Sequence, residues 1–430
     1  MVAFKGIQMK NILIISPHYP PSNLAAVHRS RLFAKHLPDF GWNPIILTVH
    51  EEFYEEALDW NLYKVIPSNQ HIEKVSAFKV SKPRLVGDIG LRAYFQLRRR
   101  ALELIRAANI DFVYIPIPSF YMALLGPYLF KRTGIPYGID YIDPWVHLFP
   151  GSNKIFSRHW FSTQFAKFLE PIAVKHAALI TGVSEGYYKS VLDRNPHLKT
   201  QALTAAMPYG GEESDHDFVS KNFSTNNKAG IISLSPKKHN TFRFVYAGAI
   251  LPKAYKPLNE IFTAIRNLGS FSDLPKLEFH FIGTLGTIKP IAHEFGLWQE
   301  SVFEYSDRIP YLDVLKNLEA SDGVFILGST EPHYTPSKVY QGVLSKKPIL
   351  AVLHKESTAV KFLNESKAGH CVLMDGENDL DTLGDRFAKQ LYDYILWAIE
   401  FDPKSVNKEI FDQYSAKAVT GDLAKILSEV

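Results

Sequence analysis

Short runs of β-branched and aliphatic residues alternate with helical stretches twice along this chain, and that alternation restricts its fold more than any other feature. NILIIS, NPIILTV, DFVYIPI and ALITGVS in the first half have the length of buried parallel strands, as do FRFVYAGAI, LEFHFIGT, GVFILGS and PILAVLH in the second. Such strands, separated by helices, predict doubly wound parallel sheets. At 430 residues the chain exceeds what one core serves, so two Rossmann-like α/β domains of about 200 residues each are expected.

The segment between the two series, GGEESDHDFVSKNFSTNNKAGIISLSPKKHN, is rich in Ser, Asn, Gly and charge and poor in core residues. We therefore expect a first domain at 1–210, a linker at 211–239, a second domain at 240–405 and a closing segment at 406–430. In that last segment Ala418, Val419, Leu423, Ile426 and Leu427 have helical spacing, which predicts an amphipathic helix returning to the first domain.

Composition removes several classes. With 46% apolar and 21% charged residues the chain is neither disordered nor fibrous. Cys371 is its one cysteine, so no intrachain disulfide or Cys-based zinc site can form and a reducing cytoplasm is expected. A net charge of +4 is too mild for a dedicated nucleic-acid binder. Its apolar runs are interrupted before the roughly 18 residues that a membrane span needs, and MVAFKGIQMKNILIISPHYPP lacks a cleavable signal pattern.

Open α/β sheets bind ligands beyond the carboxyl ends of their strands, so two of them are expected to flank a cleft. In SDGVFILGSTEPHYTPSKVYQGVLSKKPILAV, Thr335 and Ser337 could cap a helix starting near Pro336. Its N-terminus would suit a diphosphate. Lys338 in the first turn runs against the usual preference for acids there. It is either a solvated surface lysine or a ligand for an anion placed between it and the helix.

These segments resemble the GT-B glycosyltransferases, specifically the large retaining family (glycosyltransferase family 4-like) with many exopolysaccharide, O-antigen and lipid-linked sugar transferases. The resemblance spans nearly the whole chain. The family's P-S-K element corresponds to Pro336, Ser337 and Lys338. Its ribose-binding Glu falls on Gln341, and the earlier acid of its paired-Glu motif falls on His333, with Glu331 beside it. FVYAGAILPKAYKPLNEIFTAI resembles the element that opens the donor domain. Gly248 there would let the diphosphate approach the backbone, Ala249 replaces a common Arg, and Lys253 or Lys256 would hold donor phosphates, the alternative being plain surface lysines. Gly283 in FHFIGT falls near the expected base.

In the first half, ISPHYPPSNLAAVHRSRLFAKHL resembles the family's opening strand, loop and helix, placing His18, Asn23 and Arg29 on the acceptor side of the cleft. Arg29 is either phosphate-facing or a surface arginine, and His18 either a cleft residue or a satisfied loop histidine. GIPYGIDYIDPWVH resembles a D-x-x-D-P-W signature, so Asp140 or Asp143 should face the cleft, unless Asp143 only caps a turn.

What the resemblance implies is transfer of a sugar from a UDP- or GDP-sugar to a glycan or lipid-linked acceptor, with retention and without metal or other cofactor, in cell-surface polysaccharide synthesis. Lys256, Lys338 and Asp143 are the expected catalytic residues. The basic stretch LRAYFQLRRRALELIRAANI, with Arg92, Arg98, Arg99, Arg100 and Arg106, is either a solvated helix face or a contact with anionic lipid on the inner membrane surface. A degenerate relative that binds sugar nucleotide or glycan without turnover is the alternative. A Rossmann dehydrogenase is disfavoured, since no G-x-G-x-x-G follows any strand.

Overall fold

The computed structural model describes residues 9–80, 86–146, 154–222, 240–268 and 274–430. The chain forms two compact units, one of Met1–Tyr209 with Ala416–Val430, the other of Gly210–Ser415.

The first unit holds strands β1 (Lys10–Ile15), β2 (Trp42–Val49), β3 (His71–Val75), β4 (Ile110–Ile117), β5 (Tyr137–Tyr141), β6 (Leu179–Gly182) and β7 (Leu203–Ala206). They form one parallel sheet in the order β3-β2-β1-β4-β5-β6-β7. Alternation along β1 shows why the run is continuously apolar. Leu13 and Ile15 enter one core, Ile12 and Ile14 the other, so both faces are covered by helices. The helix Ala416–Leu427 packs on the helix Ala25–His36 and places Val419, Leu423 and Leu427 in the second of these cores.

The second unit holds β8 (Thr241–Ala247), β9 (Lys276–Ile282), β10 (Val302–Tyr305), β11 (Gly323–Leu327), β12 (Ile349–His354) and β13 (Gly369–Met374). These also form a parallel sheet, ordered β10-β9-β8-β11-β12-β13. One face is strongly aromatic, with Phe244 stacked on Phe279 at 4.6 Å between ring centroids and Phe325 edge-on to Phe279 at 5.4 Å. The opposite face carries Val245, Val324 and Ile326. Ring pairs in such geometries add to what area burial contributes.

The stretch expected as linker begins instead with a helix, Glu213–Asn222. It packs on the helix Tyr311–Ala320 through the Tyr311 hydroxyl, which donates to Asp215 at 3.1 Å, and through His216, whose Nδ1 lies 2.8 Å from Glu319. Its buried face carries Asp215 and His216 beside Val219, so hydrophobic periodicity could not reveal it. The remainder of that stretch, 223–239, lies outside the described residues. Where the chain enters and leaves this unit, Gly211 N–H donates to the Tyr414 carbonyl at 2.9 Å. In the closing segment, the helix Lys408–Gln413 sets Phe411 in the second unit's core, and Ala416–Leu427 alone belongs to the first.

Candidate functional site

In the second sheet the chain order reverses between β8 and β11, the switch point at which doubly wound sheets bind ligands. Gly248 follows β8 and accepts φ +120°, open to glycine at little cost. Its N–H donates to the Ile282 carbonyl at 2.8 Å. A Cβ on Gly248 would come within 2.8 Å of Lys338 Cε and Nζ, so the glycine makes room for that side chain.

Lys338 opens the helix Lys338–Leu344. Its ammonium lies 4.1 Å from the Tyr246 ring centroid and donates to the Tyr246 hydroxyl at 2.9 Å. That hydroxyl donates onward to the Ala249 carbonyl. Among the described residues no carboxylate pairs with Lys338. Burial pushes its ammonium down to about 7 although part of the side chain remains in reach of solvent. An aromatic face and a hydroxyl dipole compensate a buried cation only in part. An anion would complete the site.

The surrounding loops are tied together. Lys253 donates to Glu331 at 3.1 Å, and Thr330 N–H to the Lys253 carbonyl. Thr335 bonds the Thr358 hydroxyl, and Ser357 donates to the Tyr334 carbonyl at 2.8 Å. The capping expected of Thr335 and Ser337 is therefore corrected: Thr335 bonds the first residue of the helix Thr358–Ser366, Ser337 precedes its own helix with no side-chain cap bond, and that helix has seven residues, too few for a developed macrodipole. Pro336 is buried between them and His333 is half-buried in the same loop. Gly283 follows β9 at φ +72°, a conformation glycine adopts freely, with Asp307 and Arg308 3.9 Å from where a Cβ would sit.

Two expected donor residues are engaged elsewhere. Lys256 is exposed and paired with Glu377 at 2.6 Å. Gln341 Oε1 lies 3.1 Å from His216 Nε2, so the atom assigned to the ribose is already bonded to the helix Glu213–Asn222.

In the first unit, neither reading of Arg29 holds. It is 1% exposed and forms a two-bonded pair with Asp140, Nε at 2.7 Å and Nη2 at 2.9 Å. Its remaining terminal nitrogen donates to the Met207 and Pro208 carbonyls. Burial opposes its charge, but Asp140 outweighs this and holds the guanidinium protonated. Thr181 donates to Asp140, which is wholly buried, at 2.8 Å. This pair ties the helix Ala25–His36 and the Met207–Pro208 backbone to β5.

His18 Nδ1 lies 2.8 Å from Glu56. Although burial works the other way, bonds from His18 and Ser22 draw the Glu56 carboxyl down to about 2. Asn23 is held by His28 at 2.9 Å. Asp143 remains exposed at the end of β5, unbonded among the described residues, and desolvation by surrounding protein pushes its carboxyl up to about 6. Trp145 two residues on is buried, stacked on Phe120.

Sequence reasoning missed Tyr246, Glu56 and His216. Tyr246 alone carried a signal, an aromatic two residues before the strand-end glycine. A 570 Å³ pocket lined by Asn240, Asp322, Lys346 and Lys347 lies at the amino ends of β8, β11 and β12, whereas this cluster lies beyond the carboxyl end of β8. Among the described residues no three His, Cys, Asp or Glu side chains gather as a metal site, and no helix is long and apolar enough to cross a membrane.

No family model and no curated protein matches the sequence. Solved structures do. A glycosyltransferase from Rickettsia africae aligns with 16% identity and TM-score 0.60, covering 98% of each chain. Anabaena HepE in complex with UDP-glucose aligns with 15% identity and TM-score 0.63, covering 98% of this chain and all of the other. Sucrose-phosphate synthase from Thermosynechococcus elongatus aligns with 12% identity and TM-score 0.61, covering 98% of each. The fold is GT-B. At such identities the likeness concerns architecture, which both sheet orders share with the doubly wound expectation.

Proposed function

We propose that this protein is a glycosyltransferase, family 4-like, that binds a UDP- or GDP-sugar in its second unit and transfers the sugar to a glycan or lipid-linked acceptor. The observation that carries this reading is Lys338, a partly neutralised cation without a carboxylate, set against Gly248 at the switch point of the sheet. A diphosphate beside Gly248 would restore its charge, and the interaction would strengthen as charge builds on the leaving phosphate. HepE, of the same fold, is seen with UDP-glucose, which supports the donor class.

Transfer follows the retaining course that the resemblance implies. The acceptor oxygen bonds to the anomeric carbon on the face from which the diphosphate departs, that carbon–oxygen bond breaks, and the leaving phosphate takes the acceptor's proton. No protein nucleophile, metal or cofactor is required. Asp143, with its raised carboxyl, is the residue of the first unit suited to meet an acceptor hydroxyl. The setting is the cytoplasm, in synthesis of cell-surface polysaccharide.

Gln341 held by His216 and Ala249 in place of an Arg favour one second reading, a degenerate GT-B protein that binds without turnover. Calorimetric titration with UDP, GDP, ADP and dTDP separates these. UDP or GDP should bind, and Lys338→Ala should weaken it roughly 30- to 100-fold. Binding without transfer or donor hydrolysis would favour the degenerate reading. No binding to the folded protein would remove the donor site itself.

A further inference from the structure

The helix Arg158–Val174 turns its small face inward and its aromatic face outward. Thr163, Ala166, Glu170 and Ala173 are buried, while Phe161, Phe165, Phe168 and Ile172, spaced four, three and four residues apart, form one exposed ridge on the other side. Phe165 is 59% and Phe168 68% exposed. Phe156, just before the helix, is 76% exposed and held at φ +65°, a conformation rare for a bulky residue. It contacts Trp160 and Phe161, extending the ridge with an aromatic cluster.

An outward ridge of this kind is the reverse of an ordinary amphipathic surface helix and marks an interaction face. Its charges identify the partner. From Lys154 to His176 every exposed ionisable side chain is basic, with Lys154, Arg158, Lys167 and Lys175 beside two histidines. The single acid, Glu170, is buried and bound by Arg194 at 2.8 Å.

The basic helix singled out in the sequence fits less well. In Tyr94–Ala107, Arg100 is paired with Glu73 and Glu103, and Arg99 lies 3.7 Å from Glu103. Arg92, just before it, is buried and donates to the Phe78 and Phe53 carbonyls.

We infer that the ridge Phe161–Phe165–Phe168–Ile172, with its basic flanks, docks this protein onto an anionic lipid surface. The aromatic rings would enter the headgroup region while Arg158 and Lys175, on either side of the ridge, meet lipid phosphates. Docking uses the first unit alone and stands independently of the donor reading.

The test is cosedimentation of the full chain with vesicles of phosphatidylcholine, alone or with about 30% phosphatidylglycerol. The protein should sediment with the anionic vesicles and release as salt rises. Phe165→Ser/Phe168→Ser and, separately, Arg158→Glu/Lys175→Glu should each weaken that binding by about tenfold or more, with melting and nucleotide titration unchanged. Since all four side chains are exposed, both variants should fold, and either alone decides the matter. Wild-type protein left in the supernatant with anionic vesicles, or an aromatic variant that sediments like wild type, would overturn the inference. So would ultracentrifugation showing a dimer that the aromatic variant dissolves, which would assign the ridge to a second copy.

Discussion

Arg29 in the first unit and Lys338 in the second are both cations withdrawn from water, and their surroundings are opposite. Arg29 has Asp140 on one side and two backbone carbonyls on the other, four hydrogen bonds that include a two-bonded carboxylate partner. Lys338 has one phenolic oxygen and a ring face. A buried charge neutralised by a carboxylate holds structure in place, whereas one without a counter-charge is suited to a charged ligand that arrives later. The contrast separates a structural cation from a binding cation more sharply than burial does, since burial is common to both.

The largest expected effect tests the complete pair. Arg29→Ala leaves Asp140 as an uncompensated buried carboxylate and frees the Met207 and Pro208 carbonyls, so calorimetry should show the first unit losing about 3–5 kcal/mol. Nucleotide affinity, which the proposed donor site assigns to the other unit, should stay unchanged. A soluble, equally stable Arg29→Ala protein would break the comparison at its structural end.

Lys338→Met should have the opposite sign. A lysine whose folded value is lowered from 10.5 to about 7 destabilises the fold fully below about pH 7, and the penalty fades as pH rises toward the ordinary lysine value. Replacing it by an isosteric apolar chain should therefore stabilise the unliganded second unit by roughly 1–2 kcal/mol near neutrality, and by little at alkaline pH. The same protein should lose nucleotide binding. A gain in stability coupled to a loss of affinity is what a site prepared for its ligand predicts; a loss of both would place Lys338 among the structural cations.

Much of this molecule was legible in sequence where burial is set by apolar pattern. The runs around β1, β4, β8 and β11 could only be strands covered on both faces, and their alternation with helices leads to two parallel sheets. Polar burial was not legible in the same way. Arg29 and Asp140 are 111 positions apart, and each alone reads as a surface charge or a site residue until the fold brings them together. The helix Glu213–Asn222 was hidden for the same reason, because the partners that justify burying Asp215 and His216 lie on a helix about a hundred residues on. Lys338 was visible through its local segment, but its condition was not. Tyr246, which holds it, comes from a strand 92 residues earlier.

The smallest effect is the most specific to the incomplete cation. If Lys338 binds the donor diphosphate, it must be charged to do so, and the free protein supplies the charged form only below about pH 7. The affinity for a sugar nucleotide, whose diphosphate keeps its charge across this range, should be flat in acid and fall roughly tenfold between about pH 6 and 8. Binding in that interval should take up a proton, visible as a heat that changes with the buffer's own ionisation enthalpy. Lys338→Arg stays charged throughout, and although its fork fits the Gly248 gap less well, its weaker binding should lose the slope. A sloped profile in Lys338→Arg would trace the pH dependence to another group, while a flat profile in the wild type would mean that the ammonium is already fully charged before any ligand arrives.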